Sequence, residues 1–463
     1  MTDTIWPPDF ENTTGAKYIV LIQSLRAAVR SGELPNGHRL PPVREMAWQL
    51  GITPGTVARA YKLAAEEGLV ETAVGRGTFV SGQRAPMRAD VPLINIGTPD
   101  MVNFRSAQVL DVGQAAEIGA AMSAVATRPG FDCVTYPTEL TDRAAREAIV
   151  QWIGPERAGR ITAQDVVLTL GAQNATILAL MAVLRGPTPI VLTDGLSYPG
   201  ARHAARMLRA RVIGVEMDEE GLRPDVFEAL LREHGAQVLL TSAEAHNPTC
   251  LRTSLGRRQE LAAIARRHRV QIIEDDSHCI DWEGRAAYRE MLPELSWYIS
   301  ALTKSVSSGM RVGYMVAPVG QAVQARQVAE SAFYGLPQPM IDVTTELLTS
   351  GVAAKIRDRV RHKIRERVQK AVNVLGGWDI SYRDDLPFLW LRLPDGWRGS
   401  SFVQACERAG VQIKAADEFA LADEAAPNAV RIGLSADVDE ARYVAALRRM
   451  AEMLAVPPRH ADV

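Results

Sequence analysis

Several things are scarce in these 463 residues, and each scarcity closes off a class of function. Only four cysteines occur (Cys133, Cys250, Cys279, Cys406), far apart and with no C-x-x-C spacing. That removes a disulfide framework and the thiolate motifs of metal and redox centres, and makes a reducing cytoplasm the expected compartment. Cysteines scattered in this way read as small buried hydrophobes. No apolar run approaches the roughly 20 residues of a membrane span, and the run from Ile177 to Leu184 is too short, so no membrane partner is expected. The opening stretch, MTDTIWPPDFENTTG, lacks the charged-then-apolar pattern of a secretory leader. Charge of one sign is also missing: 52 Lys+Arg against 54 Asp+Glu give a formal net charge of −2. Global basicity therefore offers no pointer to nucleic acid. Internal repeats and low-complexity tracts are absent.

What is present is ordinary globular composition, 47% hydrophobic and 23% charged, at a length that predicts two or three domains. Residues 16 to 31 (AKYIVLIQSLRAAVRS) space Ile19, Ile22, Leu25, Ala28 and Val29 as one helix face, and Gly32 stops the helix. A turn rich in Pro and Gly, GELPNGHRLPP, leads to a second helix starting at Pro42 and ending at Leu50 before Gly51. Thr53 suits an N-cap, with Pro54 at the first helical position, where its missing N–H costs nothing. That third helix is expected to run to Glu67, ended by Gly68. Leu69-Val70-Glu71 and Gly77-Thr78-Phe79-Val80 then read as two strands joined by Val74-Gly75-Arg76. Three short helices and a hairpin make a winged helix-turn-helix.

The residues carry a resemblance as well. Gly32-Glu33-Leu34, Gly37, Arg39-Leu40-Pro41, Arg44 and Ala47 fit G-x-L-x-x-G-x-R-L-P-x-x-R-x-x-A. Thr56-Val57 and Ala60-Tyr61, then Glu67-Gly68-Leu69-Val70 and Gly75-Arg76-Gly77-Thr78-Phe79-Val80, continue the same pattern. This stretch resembles the GntR-type DNA-binding domain. The resemblance implies that Arg44, Thr56, Arg59 and Tyr61 touch phosphates or base edges, and that the wing, with Arg76 and Gly77, reaches a groove. For Tyr61, packing of its own helix is an equally open reading. Residues 1 to 82 hold eight Lys+Arg and eight Asp+Glu, and Pro54 stands where the family usually has a DNA-contacting arginine, so modest affinity per half-site is expected.

Ser81 to Pro92 (SGQRAPMRADVP) has no periodicity and reads as a connector. Beyond it, short apolar strands alternate with helical segments: Val166–Leu170, Ile190–Leu192, Val212–Val215, Val238–Thr241, Gln271–Asp275, Trp297–Ser300 and Val312–Val316. Such alternation predicts a mainly parallel sheet with helices on both faces. After about residue 345 follow a long charged helix (Arg357 to Val374) and a small α+β region, with strands near Phe388–Leu393 and Val430–Leu434.

Candidate chemistry gathers at the ends of those strands, where open α/β sheets place ligands. Between Trp297 and Ala317, a loop of small residues joins two buried strands and carries Lys304 and Arg311, an arrangement suited to a Schiff-base lysine beside a phosphate-holding arginine. Gly171-Ala172-Gln173 opens a helix after a strand, so its N–H groups face an anion. Asn247 offers an amide at a sheet edge, or merely an Asx-turn. Glu274-Asp275-Asp276 ends a strand in three carboxylates, one of which could face a protonated pyridine nitrogen. Tyr198 presents a ring face. Arg431 is a charge within an apolar strand and needs an anionic partner.

Taken in order, these stretches resemble the fold-type I aminotransferases, whose lysine segment has the form S-x-S-K-x-x-x-P-x-x-R-x-G. The resemblance runs from about Ile94 to Met453. It implies pyridoxal 5'-phosphate bonded to Lys304, with Asp275 on the ring nitrogen, Asn247 on the ring hydroxyl and Tyr198 stacked on the ring. Ala172, Gln173 and Arg311 would hold the phosphate, and Arg431 a substrate carboxylate. Tyr136 resembles the tyrosine that reaches a neighbouring subunit's phosphate, although Thr141 and Ala145 replace the glycine and leucine that follow it in the family. The tyrosine that the fold places shortly after the aspartate is also missing. Ser277 and His278 stand there, and either can donate a hydrogen bond to the ring hydroxyl.

A GntR domain fused to an aminotransferase-like domain resembles the MocR family of transcription regulators. The fold class implied is multidomain: a winged helix-turn-helix over 1–81, a linker over 82–92, and an α/β fold-type I domain over 93–463 whose small C-terminal α+β subdomain begins near 345. The leading functional expectation is a cytoplasmic regulator that binds a DNA operator and responds to pyridoxal phosphate, a small amino compound, or both, as a domain-swapped head-to-tail homodimer. The alternatives are a working aminotransferase with an appended DNA-binding domain and a regulator that has lost its cofactor.

Overall fold

The computed structural model describes residues 17–456, apart from 32, 36, 67–68, 74–76, 81–92, 95–96, 99, 281–284 and 422–425. Arg76, the wing turn and the connector expected over 82–92 lie outside the described residues. The chain divides into two units, Met1–Pro92 and Leu93–Val463.

In the first unit, α1 (Lys17–Ser31), α2 (Val43–Gln49) and α3 (Pro54–Glu66) join a three-stranded sheet of β1 (Arg39–Leu40), β2 (Val70–Ala73) and β3 (Gly77–Val80), ordered β1-β3-β2. Leu21, Leu25, Leu40, Met46, Val57, Ala60 and Val80 form its core. Their spacing leaves one apolar stripe on each helix, which is what a unit this small has to bury. α3 begins as its sequence dictates: the Thr53 hydroxyl accepts the N–H of Thr56 at 3.3 Å, and Pro54 takes the first helical position.

The second unit is built on a seven-stranded sheet. Its strands are β4 (Val166–Thr169), β5 (Ile190–Asp194), β6 (Arg211–Val215), β7 (Val238–Thr241), β8 (Gln271–Asp275), β9 (Ser296–Ala301) and β10 (Gly313–Val316), in the order β4-β10-β9-β8-β7-β5-β6. All pairings are parallel except those of β10, which runs antiparallel to both β9 and β4. The strands are apolar on both faces because helices cover both. Val167, Ile273, Ile299 and Met315 pack on one side with α4 (Ala172–Val183). Leu168, Tyr298, Tyr314 and Val316 pack on the other. That second core also holds Ile356, Val360, Ile364 and Val368, one stripe of α5 (Val352–Leu375).

The C-terminal region adds a four-stranded antiparallel sheet of β11 (Ile380–Ser381), β12 (Phe388–Arg392), β13 (Lys414–Ala415) and β14 (Ala429–Gly433), ordered β11-β12-β14-β13. Close packing holds it to the chain that enters this unit: a Cβ added to Gly433 would collide with the carbonyl oxygen of Ser106. No helix among the described residues is long and apolar enough to cross a membrane. The described residues also contain no group of three or more His, Cys, Asp or Glu that could hold a metal ion. Cys250, Cys279 and Cys406 are buried and Cys133 is exposed, all as free thiols.

Candidate functional site

The C-terminal ends of the parallel strands open onto one cavity of about 520 Å³. Eight of the residues expected at a site line it: Ala172, Gln173, Tyr198, Asn247, Asp275, His278, Lys304 and Arg311. They come from separate stretches of sequence that only the fold brings together.

Lys304 stands on the turn between β9 and β10, and its Nζ donates to the carbonyl oxygen of Ala107 at 2.7 Å. Burial, reinforced by the charge of Arg431, pushes its pKa down to about 8, which puts the neutral nucleophilic amine within reach of physiological pH. Asp275 ends β8. Its Oδ1 accepts the backbone N–H of Ser277 at 3.0 Å and also the Ser277 hydroxyl. Burial raises the Asp275 pKa, while the Ser277 bonds and the nearby Lys304 charge pull it back.

Arg311 adopts a left-handed backbone, φ 56°. Its Nη2 donates to the Leu170 carbonyl oxygen at 3.0 Å, which lays the guanidinium across Gly171 at the start of α4. A Cβ on Gly171 would sit 2.6 Å from that nitrogen, so only glycine admits this approach. Behind it, a Cβ on Gly313 would lie 2.6 Å from the Gly171 Cα. A guanidinium beside the open N–H groups of a helix start makes an anion cradle. Gln173 and Tyr198 are pinned next to it: Gln173 Nε2 donates to the Gly200 carbonyl oxygen at 2.9 Å. Burial, with the Asp275 charge, raises the Tyr198 pKa above its ordinary value.

Arg431, in the middle of β14, is buried. Its Nη1 donates to Asn247 Oδ1 at 2.9 Å and its Nη2 to the Arg105 carbonyl oxygen at 2.5 Å. Phe419 and Phe388 flank the guanidinium at 5.0 and 5.6 Å, and its Nε has no partner among the described residues. Burial lowers the Arg431 pKa to about 10, so the group stays cationic at neutral pH and suits an acid. With Asn247 Oδ1 engaged by Arg431, the amide nitrogen of Asn247 is left to donate.

Tyr136 lies apart from this cavity. It is exposed and stacks on Tyr334 at 5.2 Å with the rings 24° apart. In the first unit, Arg44 and Arg59 are exposed, the latter with its guanidinium 4.1 Å from the Tyr18 ring centre. The Thr56 hydroxyl pairs with that of Thr53 at 2.9 Å at the helix start. Tyr61 corrects the expectation of DNA contact: its ring is buried and its hydroxyl donates to the Pro41 carbonyl oxygen at 3.0 Å, so it packs the helix. Gly77 has φ 115°, and a Cβ there would be 3.0 Å from Nε of Arg39, an exposed arginine at the wing base.

Sequence reasoning missed the support beneath the cavity. Of the three acids ending β8, only Asp275 lines it. Asp276 accepts two bonds from the fully buried Arg157, at 2.9 and 2.7 Å, and a third from the Tyr298 hydroxyl at 2.8 Å. Glu274 accepts the Tyr288 N–H at 2.7 Å, and Glu244 pairs with Arg258 at 2.8 Å. Arg157 sits in a Gly-Pro-Glu-Arg-Ala-Gly stretch that looks like a surface turn, and no local signal marks it as buried.

Comparison with known proteins gives the family. Residues 17–80 match the family described as bacterial regulatory proteins, gntR family, and residues 99–450 match aminotransferase class I and II. The HTH-type transcriptional regulator YdeF of Bacillus subtilis is 25% identical over 93% of each chain. The HTH-type pyridoxine biosynthesis transcriptional regulator PdxR of Corynebacterium glutamicum is 25% identical over 84% of this chain and 83% of its own. In fold, the large unit resembles LysN, an alpha-aminoadipate aminotransferase of Thermus thermophilus, with TM-score 0.69 at 22% identity over 80% of this chain and 95% of that one. The chain therefore belongs to the aminotransferase class I and II family in its MocR-type form, a transcription regulator with a gntR-family DNA-binding domain ahead of the aminotransferase-like unit.

Proposed function

We propose that this regulator holds pyridoxal 5'-phosphate at Lys304 and reads its presence, alone or together with an amino compound, as the signal that changes DNA binding. The observation that carries the reading is the convergence of Lys304, Asp275, Asn247, Tyr198 and the Gly171–Arg311 anion cradle on one cavity. Bound pyridoxal phosphate supplies an aldehyde carbon for amines and a ring that withdraws electrons. The protein's own groups divide the rest. Lys304, with its lowered pKa, is the amine that bonds the aldehyde. Asp275, held in place by Ser277, keeps a proton on the ring nitrogen. Asn247 donates its amide to the ring hydroxyl, and Tyr198 stacks on the ring. The N–H groups of Ala172 and Gln173, with Arg311, take the phosphate. Arg431 seats the acid group of an amino compound.

The active form in this reading is a homodimer, head to tail, with the DNA-binding domains exchanged. Val134, Tyr136 and Leu140 are apolar or aromatic side chains exposed on one loop, which favours a second copy covering them. On DNA, Arg44, Arg59, Thr56 and the wing, Arg76 and Gly77 included, make the contacts. The test is the visible spectrum: purified protein absorbs as bound pyridoxal phosphate does, and Lys304→Ala loses that absorbance. A colourless wild type that takes up no added pyridoxal phosphate overturns the reading.

A further inference from the structure

The cavity contains an imidazole whose bonding is incomplete. His278 lines it together with Lys304, and neither ring nitrogen has a hydrogen-bond partner among the described residues; Nδ1 is shut off from solvent altogether. The ring stands edge-on to Phe388, with centroids 5.2 Å apart and planes at 81°. The Arg431 guanidinium lies over the same phenyl ring at 5.6 Å. Phe388 thus contacts both the imidazole and the guanidinium, and the charges of Lys304 and Arg431 both reach His278.

Replacement of the missing phenol, the role expected from sequence, fits this position poorly. In the proposed reading the Asn247 amide would serve the ring hydroxyl, its Oδ1 being taken by Arg431, and the neighbouring Ser277 hydroxyl is turned back onto Asp275. Burial and the charges of Lys304 and Arg431 hold the His278 pKa well below its ordinary value, so the imidazole is neutral. It adds a donor to the site without adding a third positive charge. A buried polar group lacking a protein partner is most simply completed by a ligand, and here that ligand spans an amine-binding lysine and an acid-binding arginine.

We propose that His278 donates a hydrogen bond to the acid group of an amino-acid ligand, sharing that group with Arg431, so that the site selects amino acids over amines that lack an acid. The proposal rests on the reading that Lys304 carries pyridoxal phosphate. The test uses the full-length, cofactor-loaded protein titrated with alanine and with ethylamine, its counterpart without the acid, following the visible spectrum. Wild type should bind alanine more tightly than ethylamine. His278→Phe keeps a ring on Phe388 and removes the hydrogen bond; it should weaken alanine about tenfold, equivalent to ~1.4 kcal/mol, and leave ethylamine within about twofold. His278→Gln should recover part of the alanine affinity. Bound cofactor, measured after release by denaturation, should be equal in all three proteins.

Equal weakening of alanine and ethylamine, unchanged alanine binding, or loss of cofactor from His278→Phe would overturn the proposal. If that variant fails to fold, a wild type that binds the two compounds equally, or a His278→Gln that responds to neither, overturns it instead. A wild type without bound cofactor overturns the functional reading and this proposal together, whereas a loaded wild type without selectivity overturns the proposal alone.

Discussion

Replacing Arg157 by methionine removes the cation under the end of β8 while keeping much of its volume. The residue is fully buried, gives two bonds to Asp276 at 2.9 and 2.7 Å, and a third to the Arg285 carbonyl oxygen at 2.8 Å. Without it, the Asp276 carboxylate keeps the Tyr298 hydroxyl, and the buried Glu274 and Glu244, 3.7 and 3.8 Å from the Arg157 guanidinium, lose the same cation. Breaking a buried pair from one side costs about 3–5 kcal/mol, whereas replacing both partners by apolar groups is close to neutral. Arg157→Met should therefore destabilise the large unit by at least that amount in urea unfolding followed by circular dichroism, and the Arg157→Met/Asp276→Leu double variant should recover part of it, Glu274 and Glu244 still lacking the cation.

A pH dependence follows, and its sign is fixed. Burial already lifts the Asp276 pKa, with Arg157 opposing it. Loss of Arg157 raises that pKa further, so protonation relieves the variant and its deficit against wild type shrinks as pH falls. Bound pyridoxal phosphate should decline alongside stability, because Asp275 is the next residue. A loss below about 1 kcal/mol, far under the range for a broken buried pair, or a double variant as unstable as the single one, would refute the reasoning.

Two further outcomes bear on function. Arg44 is exposed on α2, and residues 1–82 hold eight basic and eight acidic side chains, with no net charge to hold DNA unspecifically, so Arg44→Ala should weaken binding to all sequences and lower the salt slope by about one; an unchanged affinity and slope would remove this helix from the DNA. Ser277 replaces the expected phenol and spends its hydroxyl on Asp275, so steady-state transamination should fall below the ordinary range of roughly 1–1000 per second. Turnover within that range, with DNA affinity indifferent to the cofactor, would make this chain an aminotransferase first.

The seven strands expected from apolar runs all appear in the large sheet, because strands buried on both faces must be continuously apolar and declare themselves in sequence. The helix cap at Thr53 and Pro54 was equally legible, being a rule about adjacent residues. Two things were not. The reversed direction of β10 is set by the short connection from β9, not by its composition, so Val312–Val316 reads the same whichever way it runs. The site's contacts are carried by distant partners: Arg157 meets Asp276 across 119 positions, and Lys304 meets Ala107 across 197. Tyr61 shows the same limit, since a motif tyrosine on the third helix becomes a core residue once the Pro41 carbonyl is found beside it.

For a regulator, what matters is how an occupied cavity is felt by the DNA-binding unit, and the chain's course offers one route. Leu93 and Ile94 line the cavity, and they directly follow the connector that leads from the winged helix. Ile94 is 82% exposed, an apolar side chain at the mouth with little to cover it. A ligand filling the cavity can cover it, so occupancy acts on the first residues that follow the connector in sequence. Ile94→Ser should then leave stability within about 0.5 kcal/mol, as exposed substitutions usually do, and leave DNA and alanine each bound when the other is absent. It should reduce the factor by which saturating pyridoxal phosphate and alanine change DNA affinity, ordinarily about 5- to 150-fold in coupled systems. Because linkage is reciprocal, the factor by which DNA changes alanine affinity must fall equally. Coupling undiminished in Ile94→Ser, measured in both directions, would show that the signal leaves the cavity by another path.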